Sequence, residues 1–184
     1  MLKLILNKKY NPLFKSEARY FIITGGRGSG KSFAVTVFLT LLTMTKGIRI
    51  LFTRYTMTSA HLSIIPEFLE KIGLLGFDEV FSINKAEVVN TSNQSDILFR
   101  GIRTSAGNQT ASLKSLQGIS TWVLDEAEEL VDENIFDTID LSIREKNIHN
   151  RVVLILNPVT KEHWIYKRFF EERGVRDGFN GIKD

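Results

Sequence analysis

The chain alternates between short hydrophobic runs and longer stretches in which apolar residues recur at helical spacing. Four of the short runs are apolar on both faces over most of their length, which is typical of strands buried in a parallel sheet. These predicted strands cover residues 20–25, 48–53, 121–124 and 152–156. The predicted helices cover residues 31–45, 59–72 and 132–146, and a last one contains Trp164, Tyr166, Phe169 and Phe170. This alternation predicts an α/β fold with a mostly parallel sheet flanked by helices.

Three local features modify this pattern. Residues 87–90 and 96–100 form two strands joined by a polar turn, which predicts a hairpin at one edge of the sheet. Residues 101–118 are polar and contain several small residues, which predicts a long surface loop. In the helix over residues 59–72, Pro66 is tolerated if it lies in the first turn, where no partner is needed for the missing N–H.

Length and composition indicate a single domain over residues 1–184. The 24 basic and 21 acidic residues leave a net charge of +3, which by itself does not decide whether the partner is a polyanion. There is no Cys, and His61, His149 and His163 are scattered, so we expect neither a thiolate site nor a zinc site. The longest apolar stretch, residues 33–44, is shorter than the roughly 18 residues of a membrane span, so we expect no membrane segment.

The strongest motif directly follows the first predicted strand and precedes a predicted helix, which is the context that a phosphate-binding P-loop requires. Its residues fit the pattern G-x-x-x-x-G-K-[ST] and are Gly25, Gly26, Arg27, Gly28, Ser29, Gly30, Lys31 and Ser32. The glycines let successive N–H groups point at one anion, and the helix start adds the positive end of its dipole. Lys31 is then expected to reach the β- and γ-phosphates of ATP, and Ser32 to offer a hydroxyl to Mg²⁺.

The segment before the first strand, residues 1–19, is an irregular lead-in. In P-loop ATPases the corresponding segment often lies against the adenine. Tyr10 or Phe14 is therefore a candidate for stacking on the base, and an ordinary packing role is the alternative for either residue.

A pair of carboxylates follows the predicted strand over residues 121–124 and has the form of a Walker B element. Open α/β sheets bind ligands at the carboxyl ends of their strands, so the pair is expected beside the P-loop. Asp125 is predicted to hold Mg²⁺, and Glu126 to orient and deprotonate the attacking water. Glu128 and Glu129 fit a solvated first turn better than further ligands.

Asn157 ends the next predicted strand, which in ATPases with a glutamate base usually lies between the P-loop strand and the Walker B strand. An amide at that position faces the γ-phosphate, where it can bind water or phosphate and change partners after hydrolysis. The alternative is that Asn157 and Pro158 simply make a turn.

Phosphoryl transfer also needs a cation to stabilise the charge that develops in the transition state. Arg27 lies within the P-loop and is the candidate for acting in cis. Arg54, Arg100, Arg103 and Lys114 are the alternatives.

Taken together, these motifs resemble the ATPase domain of tailed-phage terminase large subunits over about residues 18–170. Besides the P-loop, the Walker B pair and Asn157, the resemblance rests on the arginine of Phe52-Thr53-Arg54, on Phe99-Arg100-Gly101 and on the run from Leu116 to Ala127. It implies a P-loop NTPase of the RecA-like type, with an additional strand and a catalytic glutamate.

The resemblance also implies a function, which is Mg²⁺-dependent ATP hydrolysis that powers packaging of double-stranded viral DNA into a procapsid. Arg27 then corresponds to the family's P-loop arginine, and Asn157 to part of its coupling motif. The implied partners are the DNA, the portal and the small terminase subunit. We further expect a ring of identical subunits when assembled, a monomer in isolation and a location in the host cytoplasm.

Two departures from the family pattern qualify these expectations. The family carries a carboxyl-terminal nuclease domain, and because the sequence ends at Asp184 we expect that domain to be absent from this chain. The family also often has an arginine ahead of Walker B that reaches a neighbouring subunit. Lys114 occupies that approximate position, which leaves Lys114, Arg103 or neither as the group that acts in trans.

Two other functions remain open from the sequence. One is a different P-loop motor that acts on DNA, such as a helicase or recombination ATPase, although the arginine-rich motifs of a second RecA-like domain are not found here. The other is an assembly module that ATP switches between two states without a need for hydrolysis. Steady-state phosphate release, measured with and without Glu126, distinguishes such an assembly module from a motor.

Overall fold

The computed structural model describes residues 4–57, 60–104, 107–176 and 179. Its strands are β1 (Tyr20–Thr24), β2 (Arg49–Thr56), β3 (Phe81–Ile83), β4 (Glu87–Asn90), β5 (Asp96–Thr104), β6 (Gly107–Asn108), β7 (Thr121–Asp125) and β8 (Arg151–Leu156). Within these residues the strands form one sheet in the order β1-β8-β7-β2-β5-β4-β3, with β6 paired to β5. The pairs from β1 to β5 along this order are parallel, whereas β4, β3 and β6 run antiparallel to their neighbours.

Helices cover both faces of this sheet. They are α1 (Pro12–Lys15), α2 (Lys31–Leu42), α3 (Ala60–Leu74), α4 (Thr110–Lys114), α5 (Glu133–Asp140) and α6 (Trp164–Tyr166), which continues as a π-helical turn over Lys167–Glu171. Each described helix is too short or too polar to span a lipid bilayer.

The hydrophobic core is divided into two layers because side chains alternate across each strand. In β7, Val123 packs with α2 and α3 on one face, whereas Trp122 and Leu124 pack with α5 and α6 on the other. Both layers consist of buried apolar side chains, which explains why the parallel strands read as continuous apolar runs. The predicted α/β class is confirmed, and β8 lies between β1 and β7 as expected.

Two predicted helices are shorter than expected because side chains from elsewhere bind their last carbonyl groups. The helix predicted over residues 31–45 ends at Leu42, where the amides of Asn90 and Asn93 donate to the carbonyl oxygen of Thr43 at 3.1 and 3.0 Å. The helix predicted over residues 132–146 ends at Asp140, whose carbonyl oxygen accepts from Arg19 at 3.0 Å. Both caps depend on contacts distant in sequence.

Two predictions about the chain between β2 and β5 are corrected. Pro66 lies within α3 rather than in its first turn, so the helix forgoes one internal hydrogen bond there. The buried face of α3, with Phe68 and Ile72, offsets this loss by packing on the sheet. The hairpin of β4 and β5 is present, but β3 lies outside it and forms the edge. The start of the helix predicted over 59–72 lies partly outside the described residues.

The loop predicted over residues 101–118 is also corrected. Its described part contains the end of β5, the short strand β6 and the helix α4. Leu113 is only 2% exposed and packs in the layer that contains Trp122 and Phe136. An apolar anchor therefore holds this segment to its own core, contrary to the expectation of a free polar loop.

We predict that Leu113→Ala lowers the free energy of unfolding by about 2–4 kcal/mol, because it removes buried methyl groups and leaves a cavity. Leu62, which is 73% exposed, provides the matched control, and Leu62→Ala should change stability by less than about 0.5 kcal/mol. Urea unfolding followed by circular dichroism measures both. Equal stability of the two variants would contradict the anchoring of α4.

Candidate functional site

The P-loop lies between the end of β1 and the start of α2. Gly28 and Gly30 have φ values of +73° and +82°, in the left-handed region that residues with a side chain rarely adopt. Gly30 directly precedes Lys31, the first residue of α2, so the free N–H groups of the helix start face the loop. The glycines thus give the backbone the curvature that an anion-binding loop needs.

The ammonium group of Lys31 is folded back onto its own loop. It donates to the carbonyl oxygens of Gly25 and Gly26, the latter at 3.1 Å, and lies 3.5 Å from the Oδ1 atom of Asn157. These partners are neutral oxygen atoms, which bind an ammonium group less strongly than a charged phosphate does. The lysine is therefore placed in the loop and open to exchange with an anion.

Tyr10 holds the P-loop through a hydrogen bond to its backbone. Its hydroxyl donates to the carbonyl oxygen of Ser29 at 2.8 Å, and its ring is buried. Phe14 packs edge-on against Phe38 of α2, with ring centroids 5.2 Å apart. The structure therefore describes packing roles for Tyr10 and Phe14, and an adenine contact by either stays a prediction.

The Walker B pair lies at the end of β7, next to the end of β2. The Arg54 guanidinium binds one oxygen of Asp125, Oδ2, from both Nε (2.8 Å) and Nη2 (2.7 Å). Its Nε also lies 3.6 Å from an oxygen of Glu126. The Asp125 side chain is 8% exposed and that of Arg54 is 25% exposed, so this ion pair is largely removed from water.

Glu126 has an unusual backbone conformation for a residue with a side chain, with φ 54° and ψ 45°. Such conformations carry strain and are frequent at functional sites. Burial raises the pKa of Glu126, whereas Arg54 lowers it and the charge of Asp125 raises it. A raised pKa suits a residue that accepts a proton near neutral pH.

Glu67 of α3 also lines the cleft, and the sequence analysis did not predict it as a site residue. Burial raises the pKa of its carboxyl group, with Lys71 acting in the opposite direction and the charge of Asp125 in the same direction. One acidic residue on an amphipathic helix is ordinary, so no pattern in the sequence singled out Glu67.

The prediction that Glu128 lies in a solvated first turn is wrong, because its carboxylate binds Asn157. Its carboxylate accepts from the Asn157 side chain at 2.6 Å and from the Asn157 backbone N–H at 3.2 Å. Glu129, by contrast, is exposed as expected. Asn157 is therefore fixed between Lys31 on one side and Glu128 on the other.

These elements enclose a cleft of about 430 Å³ at the carboxyl edge of the sheet. The predicted site residues that line it are Gly26, Arg27, Gly28, Ser29, Gly30, Lys31, Ser32, Asp125, Glu126 and Asn157, joined by Arg54, Glu67 and Glu128. Gly25 contributes through its carbonyl group. Arg100, Arg103 and Lys114 are not among the residues that line the cleft, and Arg100 donates instead to the carbonyl oxygen of Phe99 at 2.8 Å.

The sequence over residues 17–181 matches the model of a known family, described as phage terminase large subunit. The chain belongs to this family. No curated protein matched the sequence of this terminase chain. The resemblance inferred from the motifs is therefore confirmed by a match over most of the chain.

Solved structures with similar folds are also terminases and packaging ATPases. The large terminase of a thermophilic bacteriophage gives a TM-score of 0.73 at 10% identity, covering 93% of this chain and 44% of that one. The ATPase domain of the Thermus phage P74-26 large terminase gives 0.65 at 16% identity, covering 98% of this chain and 77% of that one. The N-terminal domain of the bacteriophage phi29 DNA packaging ATPase gives 0.64 at 15% identity, covering 89% and 84%. The chain thus spans less than half of the first of these proteins.

We predict that Arg54→Ala destabilises this terminase chain by about 2–3 kcal/mol, because it leaves the Asp125 carboxylate buried without its cation. This cost is below that of breaking a fully buried pair, since Arg54 is partly exposed. In an Asp125→Asn background, where the charge is absent, the same change should cost about 1 kcal/mol or less. Urea unfolding of the four proteins measures the cycle, and equal costs in both backgrounds would show that the pair is not coupled.

Proposed function

We propose that this terminase chain hydrolyses ATP with Mg²⁺ and that hydrolysis powers translocation of double-stranded DNA into a procapsid. The observation that carries the proposal is that one cleft joins the P-loop lysine to the Asp125–Glu126 pair and to Asn157. The large terminase of the thermophilic bacteriophage, which has the same fold, is known in complexes with ADP and with ATP-γ-S, which supports nucleotide as the ligand.

The residues of the cleft have separate roles in binding or hydrolysing ATP. The loop N–H groups and Lys31 bind the phosphates, and Lys31 exchanges its carbonyl partners for phosphate oxygens. Glu126 orients the attacking water and accepts its proton. Asn157 lies where it contacts that water or the γ-phosphate.

The residues present also fit a magnesium ion. Mg²⁺ prefers oxygen ligands and is usually held by one or two protein groups together with phosphates and waters. Ser32 offers a hydroxyl and Asp125 a carboxylate, of which only Oδ2 is bound to Arg54. The described residues hold no cluster of three acidic, histidine or cysteine ligands, and a nucleotide-bound Mg²⁺ does not require one. The ion would neutralise charge on the phosphates during transfer.

The cation for the transition state comes from Arg27 in cis, from a neighbouring subunit in trans, or from both. Arg27 is exposed and lines the cleft. Arg103 and Lys114 are exposed outside the cleft lining, so either one would serve the site of a neighbour rather than its own. Such an arrangement fits a ring of identical subunits, with a monomer in isolation.

Membership of the terminase family also suggests which partners the protein binds. We infer that the assembled protein meets double-stranded DNA, the portal and the small terminase subunit in the host cytoplasm. Contacts with DNA are then mainly with phosphates, because a packaging motor moves along any sequence.

We predict that Glu126→Gln keeps ATP affinity but lowers kcat by about 10²–10⁴, the usual contribution of a positioned base. Glu129→Gln, which removes an exposed carboxylate three residues away, is the control and should retain activity. Because the pKa of Glu126 is raised, the wild-type rate should fall with acidification at a higher pH than an ordinary glutamate would give. Steady-state phosphate release measures all three proteins. Undiminished turnover by Glu126→Gln would exclude Glu126 as the base.

We also predict that specific activity rises with protein concentration. If Lys114 is the group that acts in trans, Lys114→Ala lowers this activity by up to about 10³-fold, toward the lower end of the usual effect of a catalytic cation. Lys114→Arg should preserve activity because it keeps a cation at that position. Mixing Lys114→Ala with Glu126→Gln should restore turnover, since each supplies what the other lacks. Lys46→Ala, at an exposed lysine after α2, is the control. An absence of rescue, with activity independent of concentration, would assign the task to Arg27.

A further inference from the structure

Glu128 binds Asn157 with both oxygens of its carboxylate. Oε1 accepts from the side-chain Nδ2 at 2.6 Å, and Oε2 accepts from the backbone N–H at 3.2 Å. Both residues line the nucleotide cleft. The contact joins β8 to the turn after β7, and its first bond is among the shortest side-chain contacts of the site.

This contact fixes which way the Asn157 amide faces. A carboxylate only accepts hydrogen bonds, so the Asn157 group that faces Glu128 must be the donor, Nδ2. The amide oxygen, Oδ1, is consequently turned toward the cleft, where it lies 3.5 Å from the Lys31 ammonium group. The orientation follows from the hydrogen-bond network, which settles an assignment that the shape of an amide alone leaves open.

Glu128 is itself held in place by its backbone. The left-handed conformation of Glu126 starts a 3₁₀ turn over Ala127–Glu129, which directs Glu128 back toward β8. The carbonyl oxygen of Glu128 lies 3.1 Å from Nε2 of His163. Because Nδ1 of His163 accepts from the N–H of Ile165, Nε2 carries the hydrogen and donates to Glu128. Glu128 is thus held both through its side-chain carboxylate and through its backbone carbonyl group.

The orientation of Asn157 matters for the chemistry of the attacking water. That water has two hydrogens and must keep a lone pair free to attack phosphorus. Glu126 accepts one hydrogen, and an amide oxygen facing the cleft accepts the other. An amide NH₂ group facing the cleft would instead donate to the water, which occupies one of its two lone pairs and leaves its second hydrogen without this acceptor. The orientation that Glu128 enforces is therefore the productive one.

We propose that Glu128 is a positioning residue for ATP hydrolysis, which acts by keeping the amide oxygen of Asn157 in the cleft. The inference rests on the proposed function of this site. Glu128→Gln is the informative change, since it preserves shape. Its Oε1 can accept from the Asn157 backbone, and its Nε2 then donates toward the side chain, which favours the reversed amide.

We predict that Glu128→Gln lowers kcat about 10- to 100-fold, the effect of a misplaced reacting group, with little change in KM. Glu129→Gln removes a neighbouring exposed carboxylate and is the matched control, expected at wild-type activity. The free energy of unfolding of both variants, measured in urea, separates a loss of positioning from a loss of folded protein.

A double-mutant cycle tests whether Glu128 acts through Asn157. In an Asn157→Ala background the amide is absent, so Glu128→Gln should cause no further fall in kcat. Equal falls in both backgrounds would overturn the proposal, because they would show an action independent of Asn157. Wild-type kcat in Glu128→Gln would overturn it as well. An absence of turnover in the wild-type chain at every concentration would instead overturn the proposed function itself.

Discussion

Burial of both faces of the parallel strands is the constraint on which the rest of this terminase chain depends. Because the strands run in one direction, their carboxyl ends meet at one edge of the sheet. The residues at or after the carboxyl ends of β1, β2, β7 and β8 therefore converge there. This edge gathers Lys31, Arg54, Asp125 and Asn157 although they are far apart in sequence.

Several charged groups of the cleft already have a partner within the protein. The ammonium of Lys31 rests on carbonyl oxygens, Arg54 holds Asp125, and Glu128 holds Asn157. Such pairing avoids the cost of a buried charge without a partner and fixes the side chains before a nucleotide arrives. Glu126 is less restrained than Asp125, since its one close charged partner among the described residues is Arg54 at 3.6 Å. In the proposed mechanism, ATP binds by exchange of these partners.

The features that were predictable from the sequence are those that depend on neighbouring residues. Apolar runs predicted the parallel strands, and the P-loop and the Asp125–Glu126 pair each form a local pattern. The position of β8 between β1 and β7 followed from the usual place of this strand in ATPases with a glutamate base, and the structure confirms it.

The features that escaped prediction depend on contacts between distant segments. Glu128 and Asn157 are 29 residues apart in the sequence, and Tyr10 and Ser29 are 19 residues apart. Neither contact can therefore be recognised from a local sequence pattern. Helix α4 has five residues and one buried anchor, Leu113, which is too little for a periodic signal. The early ends of α2 and α5 likewise reflect caps supplied by remote side chains.

The central claim is that Lys31 and its loop form the phosphate-binding site for ATP. Calorimetric titration of ATP with Mg²⁺ into the wild-type chain, into Lys31→Ala and into the surface control Lys46→Ala tests it most directly. The account predicts that wild type and Lys46→Ala bind alike and that Lys31→Ala shows no measurable binding, because the ammonium aimed at the β- and γ-phosphates is lost. Wild-type affinity in Lys31→Ala would contradict it.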